Sequence, residues 1–364
     1  MNTSVYLHPL DYVTGMKHYL TDLKINLFYE LSPQTFHVEE LVDWNNLGFN
    51  NSKGEYVVLE IRKSMIDTIQ VVNNISRRLS IPFENIIYLG LKDKYASATQ
   101  FFFIKKQLFN PSVVESICSD KVTIKFRGFV SRKPRRRDLL GNKFLVKLDY
   151  VDETIVSRVK ELARLMLEKG LPNYYGYQRF GFHRPNTHLL GLYIISHRFN
   201  DLTRCLLRDT YFWEDPGVVI KRSKNCFDGL IYENIIYTSR SILKALSRLN
   251  RLTKGIYVEA YVAYLYNQLL NKVIESKGWV YLDEEYPTAG CRDAIDLYRD
   301  VVEIDGLEPS NIPSTMCWFR KGLFKPRIRI EKNGGFLNLS FTLNRGVYAT
   351  VVLRELFKDG LKLY

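Results

Sequence analysis

The triplet Lys92-Asp93-Lys94 stands directly after the apolar run Ile86–Gly90 and is the segment best placed to do chemistry. Flanking ammonium groups favour the ionised form of the carboxylate between them. An ionised aspartate can serve as a nucleophile or a base, and the lysines can hold phosphates. An arbitrary KDK is most often a solvated turn. Here Ala96-Ser97-Ala98 and a second apolar run, Thr99–Lys106, follow at once, so the aspartate falls at a sheet edge. A second segment, Asn173-Tyr174-Tyr175-Gly176-Tyr177-Gln178-Arg179-Phe180-Gly181, supplies amides, rings and a guanidinium. Amides read a base edge, rings stack on its face and arginine neutralises phosphate, although the same composition equally suits an aromatic packing loop. A third, Lys133-Pro134-Arg135-Arg136-Arg137-Asp138, is a compact basic run between two strands, either a solvated tip or a phosphate contact. His183 and His188 are read as polar or structural residues.

The composition favours the phosphate reading. Lysine and arginine number 52 against 39 aspartates and glutamates in 364 residues, a net charge of +13. A chain so charged attracts polyanions by releasing their counterions. The 24 tyrosines, 21 phenylalanines and 4 tryptophans add the ring area that unstacked nucleotides need. No apolar run reaches the length of a membrane helix, so no membrane is expected as a partner. Five scattered cysteines (118, 205, 226, 291, 317) show no CxxC spacing, and no HxxxH occurs. Neither a disulfide framework nor a metal site is expected from them. Without an export signal at the N-terminus, the expected location is a reducing cytoplasm. There is no P-loop, dinucleotide glycine pattern, GxSxG or HExxH, and no cofactor is implied.

The elements that must position these groups are legible from periodicity. Tyr56–Arg62, Ile86–Gly90, Thr99–Lys106, Lys121–Arg127, Lys143–Leu148 and Phe336–Leu343 read as strands. Val122, Ile124 and Phe126 are expected on one face, with Phe144, Val146 and Leu148 alike on the next strand. Asp67–Leu79, Asp152–Lys169, Glu259–Lys277 and Tyr348–Lys358 read as helices, with Asp67 able to cap the first and Gly170 and Gly278 ending the next two. Strands and helices interleave without the regular crossover rhythm of a parallel sheet. The fold class is therefore α+β with a mixed, mainly antiparallel sheet.

Several separated blocks resemble the TruD family of tRNA pseudouridine synthases, in its archaeal form. Phe36-His37-Val38-Glu39-Glu40 is similar to the family's FxVxE strand, and Lys63 with Asp67-Thr68 to its lysine and following helix start. Gly90-Leu91-Lys92-Asp93-Lys94 with Thr99-Gln100 resembles GxKDK…TxQ. Gly141-Asn142-Lys143-Phe144 resembles GNxF, and Asn173–Gly181 resembles NYFGxQRFG. Phe341-Thr342-Leu343 and Tyr348–Glu355 resemble the last block, FxLPxGxYATxxLRE, and Tyr261–Asn267 echoes the family within the intervening region. Tyr175 stands where the family has phenylalanine, and Asn344 where it has proline.

The resemblance implies a pseudouridine synthase catalytic domain, residues 1–184 and 313–364, interrupted by a family-specific α+β insertion domain, residues 185–312. It implies an isomerase that turns a uridine of tRNA, uridine 13 of the D arm, into pseudouridine without a cofactor. Asp93 is the implied catalytic residue. Phe36, Asn173 and Phe341 are implied substrate contacts, with Tyr175 as a stacking ring. Lys63, Lys92, Lys94, Arg135, Arg136, Arg137 and Arg179 are expected at RNA phosphates. No obligatory protein partner is implied.

Overall fold

The computed structural model describes residues 5–92, 96–111, 117–149, 151–181, 184–209 and 251–363. Asp93, Lys94, His183 and Cys226 therefore lie outside the described residues. The chain divides into two compact units. One comprises Met1–Asp22 and Leu171–Phe324, the other Leu23–Gly170 and Lys325–Tyr364. These cuts are not those expected at 184/185 and 312/313. The segments 171–184 and 313–324 pack with the unit that holds the intervening region.

The second unit is built on one mixed sheet. Its strands are β1 (Phe36–Val42), β2 (Tyr56–Lys63), β3 (Ile86–Tyr88), β4 (Ser97–Lys105), β5 (Val122–Val130), β6 (Leu139–Leu148), β7 (Arg329–Asn333) and β8 (Phe336–Asn344). The order is β7-β8-β6-β1-β4-β2-β5, ending on the two-residue strand Phe49–Asn50, with β3 paired to β4. β1 runs parallel to β4 and the other pairings are antiparallel, as the α+β reading expected. Gly141 is forced by close approach: a Cβ there would lie 2.2 Å from the Leu343 carbonyl oxygen on β8.

Helix α1 (Thr68–Leu79) begins where the Asp67 carboxylate accepts from Gln70 N at 2.8 Å, satisfying an otherwise orphaned N–H. It buries Val71, Val72 and Ile75 against Leu59, Ile61 and Phe102 of the sheet. Helix α2 (Glu153–Lys169) is capped the same way by Asp152 and buries Val156, Val159, Leu162, Ala163 and Met166. One expected alternation fails. Val122 and Ile124 are buried, but Phe126 is 49% exposed. The register of β5 on β2 slips there, with Val58 opposite Gly128 and Leu59 opposite Phe126, so strict period-two alternation cannot continue.

The first unit contains α3 (Thr187–Ile195), the long α4 (Arg251–Ser276) and α5 (Ile295–Ile304). The C-terminal helix α6 (Ala349–Phe357) belongs to the second unit, with Tyr348 as its N-cap. The cysteine expectation needs correction: Cys291 and Cys317 form a disulfide. Their segments are brought together by pairing that spacing does not reveal. Thr288 N donates to Trp318 O at 2.9 Å, and Trp318 N donates to the Thr288 hydroxyl at 3.0 Å. Cys118 carries an exposed thiol and Cys205 a buried one. No helix among the described residues is long and apolar enough to cross a membrane.

Candidate active site

In the sheet unit the polar groups converge on Lys92. Its N–H donates to the Thr68 hydroxyl at 3.0 Å, and its carbonyl accepts from Lys63 Nζ at 3.1 Å. Its own ammonium lies 2.8 Å from Glu40 Oε1. The three anchors come from three elements: the first residue of α1, the end of β2 and the middle of β1. Each anchor is held in turn. Glu40 Oε2 accepts from Phe101 N at 2.9 Å, Lys63 Nζ also donates to Ile66 O at 2.8 Å, and Thr68 donates to Gln100 Oε1 at 3.0 Å. Glu40, Lys63, Thr68, Lys92 and Gln100 are all buried. Buried charges of this kind persist only when paired and hydrogen-bonded.

This arrangement revises two expectations. Lys63 and Lys92 do not turn their ammonium groups to solvent, so the phosphate contact expected of them gives way to an internal role. The β-strand period explains Lys63: it lies on the covered face of β2, opposite Ala98 of β4. Lys92 is drawn inward by the Glu40 carboxylate.

Phe36 and Phe341 come together on the same sheet, joined by a ring the sequence reading did not single out. Phe144 stacks on Phe36 at 5.7 Å and on Phe341 at 5.4 Å between centroids. The register dictates this, since Phe144 pairs directly with Phe341 and with Val38. Cross-strand ring contacts of this kind follow from the common direction of opposed side chains.

The basic run is an ordered turn with exposed guanidinium groups. Arg136–Asp138 form a 3-10 turn in which Asp138 accepts from Arg135 N at 2.7 Å and from Arg132 Nη2 at 2.5 Å. Asn46 Nδ2 donates to the same carboxylate at 3.2 Å. Burial alone would raise the Asp138 carboxyl, but the Arg132 and Arg135 hydrogen bonds and the Arg132 and Arg137 charges hold it below its ordinary value. Arg345 Nη1 donates to the Arg136 carbonyl at 2.9 Å, adding a further exposed arginine beside Lys133, Arg135, Arg136 and Arg137.

Asn173, Tyr175 and Arg179 lie in the other unit, in a loop that is mostly buried. Asn267 on α4 holds both backbone groups of Tyr175, accepting from its N–H at 2.8 Å and donating to its carbonyl at 3.0 Å. Arg320 is a partner the sequence did not reveal. Its Nη2 donates to Asn173 Oδ1 at 2.6 Å, and its guanidinium lies 4.3 Å from the Tyr175 ring centre. Asn173 Nδ2 donates to Lys321 O at 2.8 Å. The Tyr175 hydroxyl accepts from Trp318 Nε1 at 2.9 Å. Arg179 pairs with Glu259 at 2.5 Å. Only the packing of 317–321 on this loop could reveal Trp318 and Arg320, because no motif or periodicity links the two segments. His188 is buried against Tyr264, and burial pushes its pKa down to about 3, in keeping with a structural role.

Among the described residues no cluster of three His, Cys, Asp or Glu side chains could hold a metal ion. A family model described as tRNA pseudouridine synthase D (TruD) matches residues 13–228. A Methanococcus aeolicus protein named as a probable tRNA pseudouridine synthase D is 26% identical, over 94% of this chain and 98% of its own length. The tRNA pseudouridine synthase D of Nitratiruptor is 28% identical, again over 94% of this chain and 98% of its own. A Methanosarcina mazei chain solved by crystallography under the TruD designation shares the fold, with a TM-score of 0.59 at 23% identity, covering 95% of this chain and 97% of that one.

Proposed function

The chain belongs to the tRNA pseudouridine synthase D family, and on that premise we propose that it isomerises uridine 13 in the D arm of tRNA with Asp93 as the catalytic group. The observation that carries the reading is the threefold anchoring of Lys92, the residue before Asp93. A solvated charged turn has no reason to bury two lysines and a glutamate beneath it.

The reaction breaks the bond between uracil N1 and the ribose, turns the base and joins C5 to the same ribose carbon. No atom enters or leaves, so one carboxylate suffices. Asp93 attacks the ribose carbon or the base, or removes a ribose proton. Phe36 and Phe341 supply ring surface for the detached uracil. Extruding the uridine from its stack costs a few kcal/mol. Phosphate contacts offset it, with Arg135, Arg136 and Arg137 as the exposed candidates and Lys94 and Arg179 as further ones. A tRNA substrate supports the cytoplasm as the site of action. As a division by lineage, residues 1–184 with 313–364 form the catalytic domain and 185–312 the insertion.

Asp93→Asn keeps the side-chain size and removes the charge. Incubated with total tRNA, the variant is expected to bind as the parent does and to leave no carbodiimide-blocked stop at the target. Retention of more than about a tenth of the parent turnover, a loss below ~1.4 kcal/mol, overturns the assignment.

A further inference from the structure

We propose that Thr68 and Gln100 are positioning residues that fix the backbone from which the catalytic aspartate extends; the inference rests on Asp93 being that aspartate. Glu40 engages the Lys92 side chain through charge, which tolerates small displacements, and Lys63 donates to the Lys92 carbonyl. The Thr68 contact is directional. A hydroxyl carries a single proton. Thr68 gives that proton to Gln100 Oε1 at 3.0 Å, so the oxygen presents a lone pair to the Lys92 N–H, also at 3.0 Å. Gln100 thereby sets the sense of the hydrogen bond that holds residue 92.

Two further facts single out this pair. Thr68 and Gln100 are 1% and 0% exposed, so water cannot replace either partner. Among the described residues Gln100 Nε2 has no hydrogen-bond partner. A buried amide N–H left unpaired is unfavourable, and packing alone would be better served by an apolar residue of the same size. The acceptor Oε1 is the part of Gln100 that the fold uses. Thr68 also sits at the first position of α1, directly after the Asp67 cap, so the helix fixes its hydroxyl relative to the sheet. Small displacements of a reacting group are costly to rate and leave binding largely intact, since remote contacts carry affinity.

The test uses Thr68→Val, Thr68→Ser, Gln100→Met and Asp93→Asn, read by single-turnover rate at saturating tRNA and by filter-binding affinity. Thr68→Val and Gln100→Met are expected to slow the reaction about ten- to hundredfold with affinity within about twofold of the parent. Thr68→Ser, which keeps the hydroxyl, is expected to stay within about threefold. Circular dichroism and thermal midpoints establish that each variant is folded. Should Thr68→Val fail to fold, Gln100→Met and Thr68→Ser still decide. Parent-like rates in Thr68→Val or Gln100→Met beside an inactive Asp93→Asn overturn this inference alone. So does an equal loss in Thr68→Ser and Thr68→Val, or a loss confined to affinity. An active Asp93→Asn overturns the aspartate reading itself.

Discussion

Tyr175 shows how a single residue changes meaning once its surroundings are known. In the sequence it is a ring available for stacking on a base. In the structure the ring is 5% exposed, lies under Arg320, and its hydroxyl accepts from the Trp318 indole. Tyr175→Phe removes that acceptor and keeps the ring, and is expected to cost about 1 kcal/mol in urea unfolding while turnover stays near the parent's. Tyr175→Ala removes the ring beneath a guanidinium and is expected to cost about 3–5 kcal/mol and most of the activity. If Phe loses as much turnover as Ala in single-turnover assays, the hydroxyl takes part in the chemistry. His188 makes a pH prediction. Its pKa falls to about 3 through burial, against 6.5 ordinarily, so between these values the unfolded chain binds a proton that the folded chain excludes. Stability is then complete above pH 6.5 and falls as pH drops toward 3, by at most about 1.4 kcal/mol per pH unit from this group. His188→Phe is expected to flatten that slope in denaturant titrations between pH 4 and 6.5. An unchanged slope assigns the acid sensitivity elsewhere.

Among the elements, the segment 317–321 carries the most unexpected burden. It places Trp318 and Arg320 on the Asn173–Tyr175 loop, and the Cys291–Cys317 disulfide ties its start to the turn after Thr288. Closing a loop 26 residues apart in sequence lowers the entropy of the unfolded chain. Paired serine replacements, Cys291→Ser with Cys317→Ser, are expected to cost about 2–4 kcal/mol. Reducing the parent should lower its thermal midpoint to that of the pair. A midpoint indifferent to reductant shows the thiols unlinked in solution.

For the whole molecule the governing quantity is the net charge of +13, part of it concentrated on one exposed turn. The turn is held by Asp138 rather than left as a loose tip, so its guanidinium groups present a fixed pattern to phosphate. Replacing Lys133, Arg135, Arg136 and Arg137 together by alanine should reduce the slope of log affinity against log salt by up to about one per lost contact. An unchanged slope in filter binding means that this turn does not touch RNA. The Asp138 carboxyl is held below its ordinary value, so it steadies the turn above the normal carboxylate range and loses that contribution as pH falls through its lowered value.

The sequence alone determined what is local. Helix starts at Asp67 and Asp152, the alternation along β6, and the KDK block after an apolar strand all follow from spacing, because period and capping involve neighbours in the chain. It failed where an insertion broke the period, leaving Phe126 exposed at the β5 bulge. Only tertiary structure decided what long-range pairing brings together: Phe144 between Phe36 and Phe341, Arg320 against Asn173, Cys291 with Cys317. It also decided which charges face inward. Lys63, Lys92 and Arg136 look alike as letters, yet Glu40 and two carbonyls draw the first two into the protein, while Arg136 remains outside. A charge can be buried only where partners arrive to meet it, and Glu40 for Lys92 and the Lys92 carbonyl for Lys63 come from far along the chain.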